Sequence, residues 1–336
     1  MPEAARKKVA IACQGGGSHA AFAAGVLQRV LAADLRERYQ LVALSGTSGG
    51  AMCAALAWAG LLLDGPDDAI ARLGAFWNDL KAQDAIDSAV NQWGLWTARS
   101  PVTVDLSPYA YPPLAEQRLM QLVQDHIPLS RISQRLRSSA GIRLLVGATD
   151  VLKGDRVVFD GSILTHRHLI ASAAVPPLYR AIRIDGGLYW DGLFTSNPPV
   201  REFTEAPGAA GKPDEIWVIQ INPQRQGQEP VQIGDIVDRR NELSGNLALA
   251  QELYFIDKIN DLVRQHGKLL PGYKHIELKY VELPSSRDLD YASKLDRRPS
   301  FIESLMDMGR EMGAQLHAPA GAACASSLPV RNVYLS

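Results

Sequence analysis

Residues 41–63 read LVALSGTSGGAMCAALAWAGLLL, a short apolar run, a glycine-flanked serine, then a long run of small and apolar residues. Few chain topologies accommodate such a stretch. The first run has strand length, and the second, closed by Asp64, Asp67 and Asp68, reads as a helix apolar on every side. It falls well short of the ~20 residues that span a bilayer, so the helix is expected inside the protein. Between the runs, Gly46, Ser48 and Gly50 form G-x-S-x-G. In that arrangement the serine occupies a strained strand-to-helix turn, its hydroxyl projects above the sheet edge, and the glycines leave room for the bend. Gly49 opens the helix, whose amide dipoles favour negative charge at Ser48. On its own the motif fits either a nucleophile or a plain tight turn.

Upstream, Lys8 to Ala12 reads as a buried parallel strand running into Gln14-Gly15-Gly16-Gly17-Ser18-His19. A helix is expected from about Ala20, with Phe22, Val26, Leu27, Val30 and Leu31 on one face. Contiguous glycines between strand and helix set several amides on one concave surface, suited to a phosphate or to an oxyanion. The phosphate patterns need a following lysine or spaced glycines, and this loop has neither. An oxyanion hole from Gly15, Gly16, Gly17 and Gly49 is the better reading. Two strand–loop–helix units in succession open a parallel sheet, and ligands gather at the carboxyl ends of its strands. Both loops therefore reach the same edge.

Further on, Leu169 to Pro177 reads LIASAAVPP, and residues 184–199 contain two candidate carboxylates, Asp185 and Asp191. In order and spacing, the triple glycine, the G-x-S-x-G, the Ala-Ser-Ala run and the later aspartate resemble the patatin-like phospholipases. That family's longer pattern around its aspartate, D-G-G/A-x-x-x-N-x-P, fits Asp191, Gly192, Asn197 and Pro199, with Leu193 as one departure. Asp185-Gly186-Gly187 then reads as a hairpin turn. A second departure lies after the triple glycine, where His19 and Ala20 stand in place of the family's Arg or Lys and Gly. The stretches Asn222-Pro223, Asn241-Glu242 and Ser293-Lys294-Leu295 resemble a bacterial subgroup with a C-terminal extension. The resemblance implies a three-layer α/β/α fold with a largely parallel central sheet. It also implies a serine acyl hydrolase of lipid carboxylic esters, of the phospholipase A, lysophospholipase or lipase type.

Chemically, Ser48 would attack and Asp191 take the proton, with the glycine amides holding the oxyanion. Because a carboxylate is a weak base at its ordinary pKa of about 3.9, a Ser-His-Asp triad is the rival scheme. The histidines after Asp191 are His266, His275 and His317, and none lies in a glycine-rich strand-end loop. His19 is expected to line the site instead. On ordinary pKa values, a carboxylate base would fail only below about pH 5 and a histidine base near pH 6–7.

Of the 336 residues, 46% are hydrophobic, enough for a large core, and a net charge of −1 offers no global attraction for nucleic acid. The expected organisation is an acyl hydrolase core over 1–222, an extension over 223–317 packed on it, and a small polar tail over 318–336 read as disordered. Residues 64–113, with Phe76, Trp77, Trp93, Trp96, Tyr109 and Tyr111, form an insertion that could be a lid, an acyl-chain wall, or a peripheral cap with its own small core. The apolar run Val9 to Cys13 is too short for a signal-peptide core, which makes a cytoplasmic chain the default. Cys13, Cys53 and Cys324 suggest no disulfide framework, and no metal or cofactor is expected because His and Cys lack paired ligand spacing. The expected partner is a lipid or other acyl-ester substrate, with peripheral membrane contact following from a lipid one. Two other enzyme readings stand beside it, hydrolysis of another ester such as a storage polyester, and acyl transfer. A reading from a different class is a catalytically silent lipid-binding protein.

Overall fold

The computed structural model describes residues 6–32, 38–98, 107–138, 141–176, 178–225, 227, 229–284 and 289–317. Pro177, Cys324 and the 318–336 tail thus lie outside the described residues. The strands are β1 (Lys7–Cys13), β2 (Tyr39–Gly46), β3 (Arg143–Asp150), β4 (Asp155–Asp160), β5 (Ile182–Ile184), β6 (Gly187–Asp191), β7 (Glu215–Gln220) and β8 (Glu277–Glu282). They form one eight-stranded sheet in the order β5-β6-β3-β2-β1-β7-β8, with β4 paired to β3 off that path. Neighbours from β3 through β8 pair in parallel, and β4, β5 and β6 pair antiparallel.

Alternation along β1 divides the core. Val9, Ile11 and Cys13 join one apolar cluster and Ala10 and Ala12 the other, because successive side chains of a strand face opposite ways. The first face is covered by α1 (Ala21–Val30), α2 (Gly49–Leu63), α3 (Pro66–Leu80) and residues from α5 (Leu114–His126), α6 (Leu129–Ser138), α7 (His166–Ser172) and Pro299–Gly313, while α4 (Ala85–Ala98) lies outside this cluster. The second face is covered by Leu249, Leu253 and Ile256 of α8 (Ile233–His266). The fold is a three-layer α/β/α sandwich with a largely parallel sheet.

The helix after Gly49 is buried nearly all round, as its unbroken apolar sequence requires. Elsewhere the helices depart from the sequence reading in three places. First, α1 buries Ala21, Ala23 and Ala24 as well as the expected face, because α9 (Pro299–Gly313) lies across its outer side. A Cβ on Gly309 would stand 2.1 Å from Phe22 O, so the two helices touch backbone to backbone. Second, the apolar periodicity over 114–136 predicts one continuous helical stretch, but the structure has two helices, broken where Ile127 is extended ahead of Pro128. Third, 64–113 contains two regular helices, α3 and α4, and Phe76 and Trp77 belong to the main core rather than to a small one of their own. Asp185 and Gly186, both at positive φ (46° and 84°), make the tight turn between β5 and β6.

Candidate active site

Two strands share one edge of β3. The last β2 pair is Gly46 with Val146, and β6 resumes the edge at Asp191 with Ala148, leaving Gly147 between them. A Cβ on Gly147 would stand 2.5 Å from Thr47 Oγ1 and 2.7 Å from Ser196 O, and one on Gly192 would stand 2.7 Å from the Gly147 carbonyl carbon. Glycine at both positions lets the ends of β2 and β6 converge. Ser48 and Asp191 therefore arrive at the same cavity from 143 positions apart in sequence.

Ser48 follows β2 with φ 55° and ψ −130°, a strained backbone for a residue with a side chain. Its N–H donates to both the carbonyl and the hydroxyl oxygen of Ser172 at 3.0 Å, and Ser172 Oγ donates onward to Gly147 O at 2.6 Å. Thr47 Oγ1 donates to Ser196 O at 2.6 Å. A Cβ on Gly46 would fall 2.4 Å from Gly50 O, and one on Gly50 2.2 Å from Cys13 O, so both motif glycines are required by the tightness of the turn. Here the middle serine of the Ala-Ser-Ala run acquires a physical task that its sequence did not disclose.

Asp191 is fully buried. Its Oδ1 accepts the Leu193 N–H at 2.8 Å. Oδ2 has no partner in hydrogen-bonding geometry, although the Ser48 hydroxyl is near enough to favour the ionised form. Burial outweighs both effects and lifts the carboxyl from its ordinary range to about 7. The pH criterion given above, acid failure only below about pH 5, therefore does not apply to this carboxylate.

Of the expected oxyanion glycines, Gly15 differs from the rest, because its N–H donates to Asn197 Oδ1 at 2.7 Å and is not free for an oxyanion. Its role is close approach, since a Cβ there would stand 2.7 Å from Ser48 Cβ. Among the described residues, no hydrogen-bond partner occupies the amides of Gly16, Gly17 or Gly49. The loop is held from beneath. Gln14 Oε1 accepts the N–H groups of Ile221 and Asn222 at 2.9 and 2.8 Å, its Nε2 donates to Asn246 Oδ1 at 2.8 Å, and Asn222 Nδ2 donates to Gly15 O at 2.7 Å. Pro199, the end of the matched pattern, accepts the Ser45 hydroxyl with its carbonyl. Gln14, Gly147, Ser172, Asn222 and Asn246 are the positioning residues that reading the sequence missed.

His19 does not line the site, contrary to expectation. It is buried behind the loop, its Nε2 lies 2.7 Å from Ser293 Oγ, and burial together with the nearby Lys294 charge lowers its pKa to about 3. Among the described residues, no histidine lines the cavity that holds Ser48. On the other side of the glycine loop, a Cβ on Gly17 (φ 59°) would fall 2.3 Å from Lys294 O, and Lys294 Nζ pairs with Asp238 at 2.8 Å and Glu242 at 2.9 Å.

The cavity holds about 440 Å³, within the range of ligand sites. Met52, Phe76, Trp77, Leu80 and Leu95 give it an apolar wall, while Asp238, Asn241, Glu242, Tyr291 and Lys294 line a polar end. Among the described residues, no three His, Cys, Asp or Glu side chains are placed to hold a metal ion. No helix among them is long and apolar enough to cross a membrane.

Fold and site together define an α/β protein with a serine at a strand-to-helix elbow and a buried carboxylate beside it. Residues 11–204, more than half of the chain, match the family described as "Patatin-like phospholipase", and the protein belongs to that family of lipid acyl hydrolases. Among solved structures, it is similar to VipD from Legionella pneumophila at 14% identity, over 94% of this chain and 67% of that one, with a TM-score of 0.42. It is also similar to the type III effector protein ExoU at 16% identity, over 91% of this chain and 52% of that one, with a TM-score of 0.35. The chain thus spans about two thirds of the first and about half of the second. Comparison with curated proteins gives no match.

Proposed function

We propose that this protein hydrolyses lipid carboxylic esters through an acyl-enzyme on a Ser48–Asp191 dyad. The observation that carries this reading is the buried Asp191 carboxyl, its pKa lifted to about 7 beside Ser48 in a cavity whose described wall contains no histidine. A base with a pKa near the working pH combines a usable ionised fraction with real proton affinity. Asp191 Oδ2 takes the Ser48 proton as Oγ attacks the ester carbonyl. The resulting oxyanion faces the amides of Gly16, Gly17 and Gly49 at a helix N-terminus, and fixed dipoles there need no reorganisation during reaction. Asp191 then protonates the departing alcohol; a water deprotonated by the same carboxylate attacks the acyl carbonyl, and Asp191 returns that proton to Ser48 Oγ as the acid leaves. The apolar wall suits an acyl chain and the polar end a headgroup. In this scheme α3 and α4 of the insertion serve as the acyl-chain wall.

The test is hydrolysis of nitrophenyl esters from short to long acyl chains by wild type and Ser48→Ala. Rates should rise with chain length and fall by at least ~10³-fold in the variant. Equal activity in both proteins would remove Ser48 from the mechanism, and equal inactivity on every ester would favour a silent lipid binder.

A further inference from the structure

The helix α4 is amphipathic in the reverse of the usual sense. Its inward face carries Asp87, which pairs with Arg297 at 2.5 Å and Arg118 at 3.0 Å. Beside it, Asn91 donates to Leu295 O at 2.9 Å and accepts the Arg297 N–H at 3.1 Å. With Asp87 and Asn91 holding the helix down beside the buried Leu95, its other large apolar residues point out: Ile86, Val90 and Trp93 follow one stripe at i, i+4 and i+7, Trp96 flanks it, and their exposures are 78%, 58%, 67% and 68%. Burying each such side chain would stabilise the protein, so an outward stripe of this size marks a surface that meets a partner.

Its position indicates which partner. Val90 lies both in the stripe and in the wall of the Ser48 cavity, and Leu178, 37% exposed, lines another part of that wall. Next to Leu178, Tyr109 (61% exposed) is fixed by Arg180 over its ring at 5.5 Å and by the Ala181 N–H to its hydroxyl at 3.1 Å. The apolar surface is thus continuous with the cavity opening, and its tryptophans and tyrosine are the side chains that suit a lipid–water boundary. A second copy of the chain seated there would cover the opening. Between Ala85 and Ala98 there is no lysine or arginine, Arg118 and Arg297 beside the helix pair with Asp87, and Arg180 at Tyr109 is turned to the Pro108 and Tyr111 carbonyls, so the stripe offers apolar area with no cation of its own for anionic headgroups.

We propose that α4, with Tyr109 and Leu178, is the surface by which the protein docks on an electrically neutral lipid surface, with the cavity opening against it. The proposal rests on the lipid-hydrolase reading and names the partner of that same site. It is tested by co-sedimentation of the Ser48→Ala protein with phosphatidylcholine vesicles, with and without anionic lipid and at low and high salt. Partition should be similar in all four conditions, and adding Trp93→Glu and Trp96→Glu should lower it about tenfold or more. The same two substitutions in the protein that keeps Ser48 should leave hydrolysis of a short, soluble nitrophenyl ester unchanged, which also shows that the variant folds. Absence of vesicle binding, a requirement for anionic lipid, equal partition by the variant, or a dimer that the substitutions dissociate would each overturn the docking surface. Tryptophan-dependent binding without any Ser48-dependent ester hydrolysis would instead uphold the surface and remove the catalytic reading.

Discussion

Asp191 concentrates the trade between stability and function in one side chain. Its folded pKa of about 7 stands above the unfolded value near 3.9, so the native state holds a proton that the unfolded chain has lost between those values. The stabilising effect of that proton is complete below about pH 4 and disappears as pH rises through about 7. Activity runs the other way, since the base must be ionised, so kcat/KM should rise with pH through about 7. Asp191→Asn should abolish at least ~10³-fold of the turnover and, in denaturant unfolding at about pH 8, stabilise the protein by up to roughly 4 kcal/mol; near pH 4 the two proteins should unfold alike. A variant equally inactive but no more stable at high pH would argue against a strained, desolvated carboxylate. At this scale the sharp turn at Ser48 was legible from Gly46 and Gly50 between an apolar strand and an apolar helix, and the choice of Asp191 as the proposed base rested on Gly192, Asn197 and Pro199 fitting a longer pattern. The supporting residues were not. Gly147 is an unremarked glycine within a strand, and Gln14 acts through side-chain bonds to residues more than 180 positions away, which no local pattern encodes.

At the scale of elements, residues 292–297 join parts that are remote in sequence. Lys294 reaches Asp238 and Glu242 on α8, its carbonyl packs on Gly17, Ser293 meets His19, and Leu295 and Arg297 bond α4. One short segment thus presses the glycine loop, the long helix and the cavity wall together. Asp238 is already pushed up by burial, and only the Lys294 charge opposes this strongly. Lys294→Met should therefore cost roughly 2–4 kcal/mol in denaturant unfolding at neutral pH. The deficit should shrink as the pH is lowered, because an uncompensated Asp238 then takes up a proton. A deficit that stays constant with pH would mean that lost packing, not the unpaired charge, destabilises the variant. The strands were readable: short apolar runs bounded by turn residues predict strands over 8–12, 42–44, 142–149, 216–221 and 275–283, and β1, β2, β3, β7 and β8 fall there. Helix limits were less so. The helical face of α8 becomes periodic only from about Leu243, while Asp235 in its first turn starts the helix earlier, and the break at Pro128 lies inside a stretch whose periodicity resumes on the far side.

For the whole molecule, the parts after Asn222 complete the layers that the site depends on. The strand β8 extends the sheet beside β7, α8 covers its second face, and α9 lies along α1, the helix that carries the glycine loop at its start. A sheet edge where two strands end against Gly147 sets the nucleophile and carboxylate together, and α3 and α4 roof the space beside them. In the proposed chemistry this assembly forms an acyl-enzyme on Ser48 with Asp191 as base. The most direct measurement is intact-protein and peptide mass analysis after acid-quenching a reaction with a long-chain nitrophenyl ester, in wild type, Asp191→Asn and His19→Asn. Wild type and His19→Asn should carry one acyl mass on the peptide containing Ser48, and Asp191→Asn should acquire it at least ~10²-fold more slowly. An acyl group on another residue, or capture at Ser48 undiminished in Asp191→Asn, would contradict the account.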